Sequence, residues 1–306
     1  MPAWKRLPLK WLIFGVVTLG VLFPDPRLLV RNLGRYRNLD ALIDGQNPHI
    51  RDWVPQFERF CAATTRPAAG GVDMGRAGPT TRAAKWGLRE VEAFVYRKVA
   101  YAWDWDQWGA ADYIPTVSEV FSAADARPNH ELQEDCDGRA VLAASLLAAL
   151  GEKSRIVTDL RHVWVETDRG GLMGPGAKPT LSSAPGGTRT APLTALRNLP
   201  VGLSYGVAVF PLGREVVLWA AAVALSLHRR VKRMTCLLGA LLALQGLLFV
   251  RTGVIVAPHG WLEQAWPAWV GLGHAGAGLG LLWWASSRAR RTTGPGRAAV
   301  AAGGTT

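Results

Sequence analysis

Glu134-Asp135-Cys136-Asp137-Gly138-Arg139 leads into Ala140-Val141-Leu142-Ala143-Ala144-Ser145-Leu146-Leu147-Ala148-Ala149-Leu150-Gly151. The unbroken Ala, Leu and Val run reads as a helix, acidic residues suit its first turn, and Gly151 suits its end. Cys136 then stands at a helix N-terminus, where the dipole favours thiolate over thiol. Arg161-His162-Val163-Trp164-Val165-Glu166 follows. Its β-branched residues alternate, so it reads as a strand beside a second strand over Ser154–Thr158. A helix-tip thiol beside a strand-borne imidazole is the arrangement that nucleophilic acyl transfer needs.

Working outward, Trp103-Asp104-Trp105-Asp106-Gln107-Trp108-Gly109 precedes Asp112-Tyr113-Ile114-Pro115-Thr116-Val117-Ser118-Glu119-Val120-Phe121. Together with Asp135-Cys136-Asp137, Leu150-Gly151 and His162-Val163-Trp164-Val165-Glu166, these segments resemble the transglutaminase-like cysteine peptidase superfamily. The resemblance covers about a fifth of the chain, from Trp103 to Trp164. It implies an α+β, papain-like domain in which Cys136 is the nucleophile and His162 the base. The superfamily also places an Asp or Asn on the next strand to orient the imidazole. Here 169–197 contains no Asp, Asn or Glu. The nearby carboxylates are Asp159, Glu166 and Asp168. His162 and Glu166 share a strand face but sit ~13 Å apart at ~3.3 Å per residue, too far for a direct hydrogen bond.

Each of these residues also has a plainer reading. Cys136 would be a small buried hydrophobe, its acidic neighbours serving as helix caps. His162 would be a strand histidine satisfied by backbone. Asp135 and Asp137 also work against a thiolate, because negative neighbours raise a thiol pKa. Trp103, Trp105, Trp108, Gln133 and Trp164 would line a cleft, or the tryptophans would pack beneath the site as core.

The chain has 306 residues, 49% of them hydrophobic, with 14 Trp, 19% charged residues and a net charge of +12. That charge fraction is below the ~25% of an ordinary soluble domain, which predicts membrane segments. The basic residues cluster at the ends of apolar runs instead of forming a face, so nucleic acid is not an expected partner. Four spans are expected: Trp11–Phe23 as an uncleaved signal anchor, then Pro211–Arg229, Met234–Val250 and Pro267–Ser287. Arg229, Arg230, Lys232 and Arg233 fill one loop, and Arg288, Arg290, Arg291 and Arg297 follow the last span, whereas 252–266 carries no Lys or Arg. Positive-inside topology then puts residues 27 to about 205 outside the cytoplasm of an inner-membrane protein.

The organisation expected is therefore a signal anchor over 1–26 and an extracytoplasmic domain over 27–200 with its core at about 82–170. Three membrane helices over 201–290 and a disordered basic tail over 291–306 complete it. Within the domain, 66–81 reads as a linker and 170–192 as a mobile, Gly/Pro/Ser/Thr-rich loop. The three cysteines do not describe a disulfide framework. The histidines show no metal-ligand spacing, and no phosphate-cradling motif calls for a cofactor. The expected partners are a peptide or protein substrate in the cell envelope and the lipid bilayer. Two functions follow: amide hydrolysis or acyl transfer by a Cys136–His162 pair, or a catalytically silent domain that binds or assembles envelope partners. A third, in which the spans are the working unit, is opposed by Glu215 being the only acidic residue within them, near a span end.

Overall fold

The computed structural model describes residues 3–64, 86–159, 161–174, 179–227, 231–252, 254–256, 262–264 and 266–291. Within them the chain is mixed α+β, divided into two compact units, Arg27–Leu199 and the remainder. The expected 66–81 linker and the tail beyond Arg291 lie outside the described residues.

The helix α1 spans Ala3–Leu22 and α2 spans Pro26–Arg37. After a 3-10 turn at Leu39–Leu42 come α3 (Pro48–Thr64), α4 (Leu88–Lys98), strand β1 (Val99–Tyr101), the single turn α5 (Asp104–Gln107) and α6 (Val117–Asp125). Thr116 and Glu119 cap α6 reciprocally, the Glu119 carboxylate accepting from Thr116 N at 2.8 Å and Thr116 Oγ1 accepting from Glu119 N at 3.3 Å. Strand β2 (Leu132–Glu134) pairs parallel with β1 and delivers the chain to α7 (Cys136–Ala149).

Asp135 caps α7, its side chain accepting from Asp137 N at 3.1 Å. Gly151 ends the helix at φ +83°, and Glu152 N returns to Leu147 O at 2.9 Å, the left-handed close that glycine permits without strain. Ala140 to Leu147 are buried on every side, so this helix is the centre of the unit rather than a cover for it. It packs on α3 and α4 through a core that includes Trp53, Phe57, Val91, Phe94 and Val95. Against its other side lies a five-stranded antiparallel sheet, ordered β5-β4-β3-β6-β7. Its strands are β3 (Ser154–Thr158), β4 (Val163–Thr167), β5 (Gly170–Leu172), β6 (Leu181–Ala184) and β7 (Gly187–Thr190).

Most of the described residues in the stretch expected as a mobile loop are thus strand. Strand β5 pairs with β4 and β6 with β3. Gly170 at φ +130° follows the β4–β5 turn, and Gly186 at φ +85° and Gly187 at φ +149° close the β6–β7 turn.

Helix α8 (Pro192–Val209) leaves this unit. In the other, α9 (Leu212–Ser226), α10 (Arg233–Thr252), strands β8 (Val254–Val256) and β9 (Leu262–Gln264), and α11 (Trp266–Arg291) follow. Helices α10 and α11 meet through Gly239, Ala243 and Gly246 on one side and Gly271, Ala275 and Gly278 on the other. A Cβ on Gly271 would stand 2.6 Å from Gly246 O, and one on Gly278 would stand 2.6 Å from Gly239 O. Small residues bring the backbones into contact, as in helix pairs packed within lipid. The Arg251 Nη1 group donates to Phe210 O at 2.8 Å, Val207 O at 3.0 Å and Glu215 Oε2 at 2.6 Å.

Among the described helices, α10 alone is long and apolar enough by itself to cross a membrane. The bent pair Pro8–Leu22 and Pro26–Arg37 passes only when taken together. Helix α9 has 15 residues and carries Arg214 and Glu215 in its first turn, which shortens its apolar stretch.

Candidate functional site

Cys136 is the first residue of α7 and half-buried; His162 is buried at the entry of β4. The Asp159 carboxylate makes the β3–β4 turn: Oδ1 accepts from the backbone N–H of Arg161 and of His162, both at 3.1 Å, and Oδ2 pairs with the Arg161 guanidinium. Because β4 lies against α7, the Val163 N–H reaches the Cys136 sulfur and favours the thiolate. Among the described residues no hydrogen bond joins Sγ to the His162 ring.

The imidazole is oriented by backbone. His162 Nε2 lies 2.6 Å from Met173 O. A carbonyl oxygen only accepts, so Nε2 carries the proton and Nδ1 is left as the basic nitrogen. Met173 follows β5 and adopts φ +62°, which turns its carbonyl onto the ring. None of the three candidate orienting acids bonds to the imidazole. Asp159 holds the turn beneath it through backbone N–H groups. Glu166 pairs across the strands with Arg155 at 2.8 Å. Glu166 and Asp168 line a cavity of about 680 Å³ with Arg155 and Arg189, and its lining includes neither Cys136 nor His162.

Trp164, on β4, is buried in the core with its ring nearly parallel to that of His162 at 6.5 Å. Trp103 and Trp105 are half-buried and stacked at 4.9 Å, with Tyr101 edge-on to Trp103 at 5.0 Å. Trp108 packs on Tyr113 at 5.1 Å. Gln133 hydrogen-bonds Glu131 at 3.0 Å. Arg139, one turn beyond Cys136, lies 5.0 Å over the Tyr96 ring and 4.9 Å over the Tyr101 ring and donates to Val99 O at 2.7 Å. The Tyr101–Trp105 aromatic group thus borders the α7 N-terminus, while Trp164 belongs to the core.

Four carboxylates that the sequence reading had not joined surround this helix end. Asp104, Glu134, Asp135 and Asp137 are all buried, each offering an oxygen within 4.8 Å of the others. Asp104 Oδ2 accepts from Tyr113 N at 2.6 Å, Glu134 Oε1 from Gln107 at 2.6 Å and Asp137 Oδ1 from Gly138 N at 2.6 Å. Asp104 Oδ1 and Glu134 Oε2 are sealed from water with no hydrogen bond of ordinary geometry. Gly138 makes room for Glu134: a Cβ there would stand 2.6 Å from its Cδ and Cγ.

Electrostatics follow from this crowding. Burial, then the neighbouring carboxylates, holds Asp104, Asp137 and Glu134 well above the usual carboxylate range. Burial also raises Asp135, against hydrogen bonds from Asp137 and the charges of His162 and Arg139. Burial and then Asp135 push the Cys136 thiol well up, against the Val163 N–H. Burial lowers His162, against the Met173 carbonyl and the charges of Asp159 and Asp135. In this state the pair is neutral thiol and neutral imidazole, and the helix dipole alone does not make a thiolate.

The donor set fits a hard cation. Oxygens on opposite sides of a calcium ion stand ~4.8 Å apart, twice a ~2.4 Å bond, and the oxygens of this cluster all lie within 4.8 Å of one another. Asp104 brings a buried oxygen without a hydrogen bond, and the second oxygen of Glu134 has only the Trp108 indole N–H beside it. Such a cation would replace the protons now held there and remove the negative field that keeps Cys136 protonated.

No protein-family model, curated protein or solved structure matches the chain.

Proposed function

We propose that the chain is a membrane-anchored cysteine acyl-transfer enzyme with a transglutaminase-like domain acting on an extracytoplasmic peptide or protein. The observation that carries this reading is the convergence of Cys136 Sγ with the strand that holds His162, whose Nε2 is fixed on a carbonyl so that Nδ1 is the available base. Cys136 attacks an amide carbonyl as Nδ1 takes the thiol proton. The tetrahedral adduct expels the amine, which leaves with that proton, and a thioester remains on Sγ. Water, deprotonated by the same nitrogen, then releases the acid; an amine in its place gives transfer. A hard cation held by Asp104, Glu134, Asp135 and Asp137 would stabilise the thiolate at the start of this sequence. Anchoring rests first on α10, which is long and apolar enough to span by itself, with α1, α9 and α11 proposed as further spans and basic residues at the ends read as cytoplasmic; Arg229, Arg230 and Arg297 are outside the described residues.

A second reading, a catalytically silent domain that binds an envelope partner, is favoured by one observation: the sulfur makes no hydrogen bond to the imidazole, and its neighbours hold it protonated. Iodoacetamide labelling of the full chain in detergent, in calcium and in chelator, separates the two. The enzyme reading expects Cys136 to label faster than buried Cys61 in calcium, and His162→Ala to slow it. Equal rates in both conditions, indifferent to His162, would establish the silent domain.

A further inference from the structure

In the Arg27–Leu199 unit, two helices are folded with their polar side inward. On α2, Asn32 is 3% exposed; its side chain donates to Asp112 O at 2.9 Å and accepts from Ile114 N at 3.0 Å. Arg35 reaches Ile114 O at 2.6 Å and Glu119 at 2.7 Å, and Tyr36 donates to Asp112 at 2.8 Å. The opposite face, at helical spacing, carries Arg27, Val30, Leu33, Gly34 and Arg37, with Arg31 at its edge and paired with Glu119 at 3.7 Å. Val30 is 70% exposed and Leu33 55%.

Helix α8 repeats the arrangement. Asn198 turns inward to Asp159 O at 3.4 Å and Thr180 Oγ1 at 3.3 Å. Leu193, Leu196 and Leu199, spaced by three, are 83%, 69% and 47% exposed. Among the described residues of this unit, Tyr101 is the only other large apolar side chain so exposed. A water-facing domain has no reason to hide its amides and show its leucines on two helices while covering them everywhere else.

We propose that the outer faces of α2 and of the first turns of α8 rest in the headgroup layer of an anionic bilayer. Two features select lipid as the occupant. The first is continuity: α2 follows directly on apolar α1, and α8 runs on toward α9, so the exposed leucines and valine sit where the chain enters and leaves its apolar helices. The second is charge: the α2 face pairs Val30 and Leu33 with arginines at both ends, the composition of an interfacial helix over phosphates. This surface rests on the membrane-anchored part of the function proposed above and not on the chemistry at Cys136.

The test uses the full chain in phosphatidylcholine vesicles with and without phosphatidylglycerol. Benzoylphenylalanine replaces Val30, Leu33, Leu193 or Leu196 in turn, with exposed Asp52 and Glu131 as controls, and the adducts formed on irradiation are weighed. Lipid adducts at the four positions and not at the controls are expected. Anionic lipid should raise their yield at positions 30 and 33, and Arg27→Gln or Arg37→Gln should each cut that gain about fivefold. Covalent dimers, or no adduct, from chain that resists carbonate extraction would overturn the lipid surface while leaving the anchor standing. Chain that carbonate strips from the vesicles would overturn anchoring and surface together.

Discussion

Replacing Glu134 with Gln should stabilise the metal-free protein and abolish its response to calcium. Glu134 stands among Asp104, Asp135 and Asp137 within 4.8 Å. At an effective dielectric constant of ~20, two unit charges at that distance repel by about 3.5 kcal/mol. Three such neighbours cannot all be ionised beside it, so the cluster holds protons that an unfolded chain would have lost at neutral pH. The sign follows: groups whose folded pKa is raised bind more protons folded than unfolded. Stability in chelator therefore falls as pH climbs above the unfolded carboxylate pKa of about 4. The Gln variant keeps shape, leaves the Gly138 contact undisturbed and offers an N–H₂ to its acidic neighbours. Relief of part of one repulsion should give about 1–3 kcal/mol near pH 7, a rise of roughly 2–4 °C in melting temperature per kcal/mol. In calcium the gap should close or reverse, because the wild type gains about 2.7 kcal/mol at a hundredfold excess over Kd and the variant little. Thermal melts of the full chain in detergent, at pH 5 and pH 7, in chelator and in calcium, read all four arms. A variant less stable than wild type in chelator, with a wild type indifferent to calcium, would refute the reasoning.

Gly138→Ala pushes a methyl into Glu134 and should cost about 1–3 kcal/mol while weakening the calcium-induced shift in the same melts. In chelator, the alkylation rate of Cys136 should rise only above the ordinary thiol range near pH 8.5; calcium should move that midpoint down, and so should Asp135→Asn. Gly246→Ala, whose methyl would stand 2.6 Å from Gly271 O, should lower the melting temperature of the apolar unit. Gly273→Ala, with open space around it, should leave it unchanged or raise it slightly.

The parts of the fold legible in the sequence were those governed by local patterning. The alanine-rich helix from Cys136 and the strand pair over Ser154–Thr158 and Val163–Thr167 announce themselves by period and by their end residues. Strands β5 to β7 did not, because glycine, serine and threonine spell hairpin and loop alike, and only pairing with β3 and β4 decides between them. The carboxylate cluster was hidden for a different reason: its members come from α5, the end of β2 and the first turn of α7. The one local signal was an acid set between tryptophans at Trp103-Asp104-Trp105, a charge in a stretch whose neighbours pack inward. The inward amides of α2 and α8 also escape patterning, since amphipathic period shows that a helix has two faces and not which one meets water.

The orienting group of His162 has a consequence of its own. A carboxylate or amide in that role is written in the genetic code, and a single base change erases it. The Met173 carbonyl is written nowhere: every amino acid supplies one, and the contact asks only that the backbone hold φ near +62° and that β5 keep its register on β4. Selection would therefore act on the hairpin, and at position 173 on a buried apolar side chain that tolerates the left-handed region rather than on an acid or amide. A comparison that scores residue identities finds no acid or amide to score there, and a triad sought letter by letter stays one member short with its imidazole held in place.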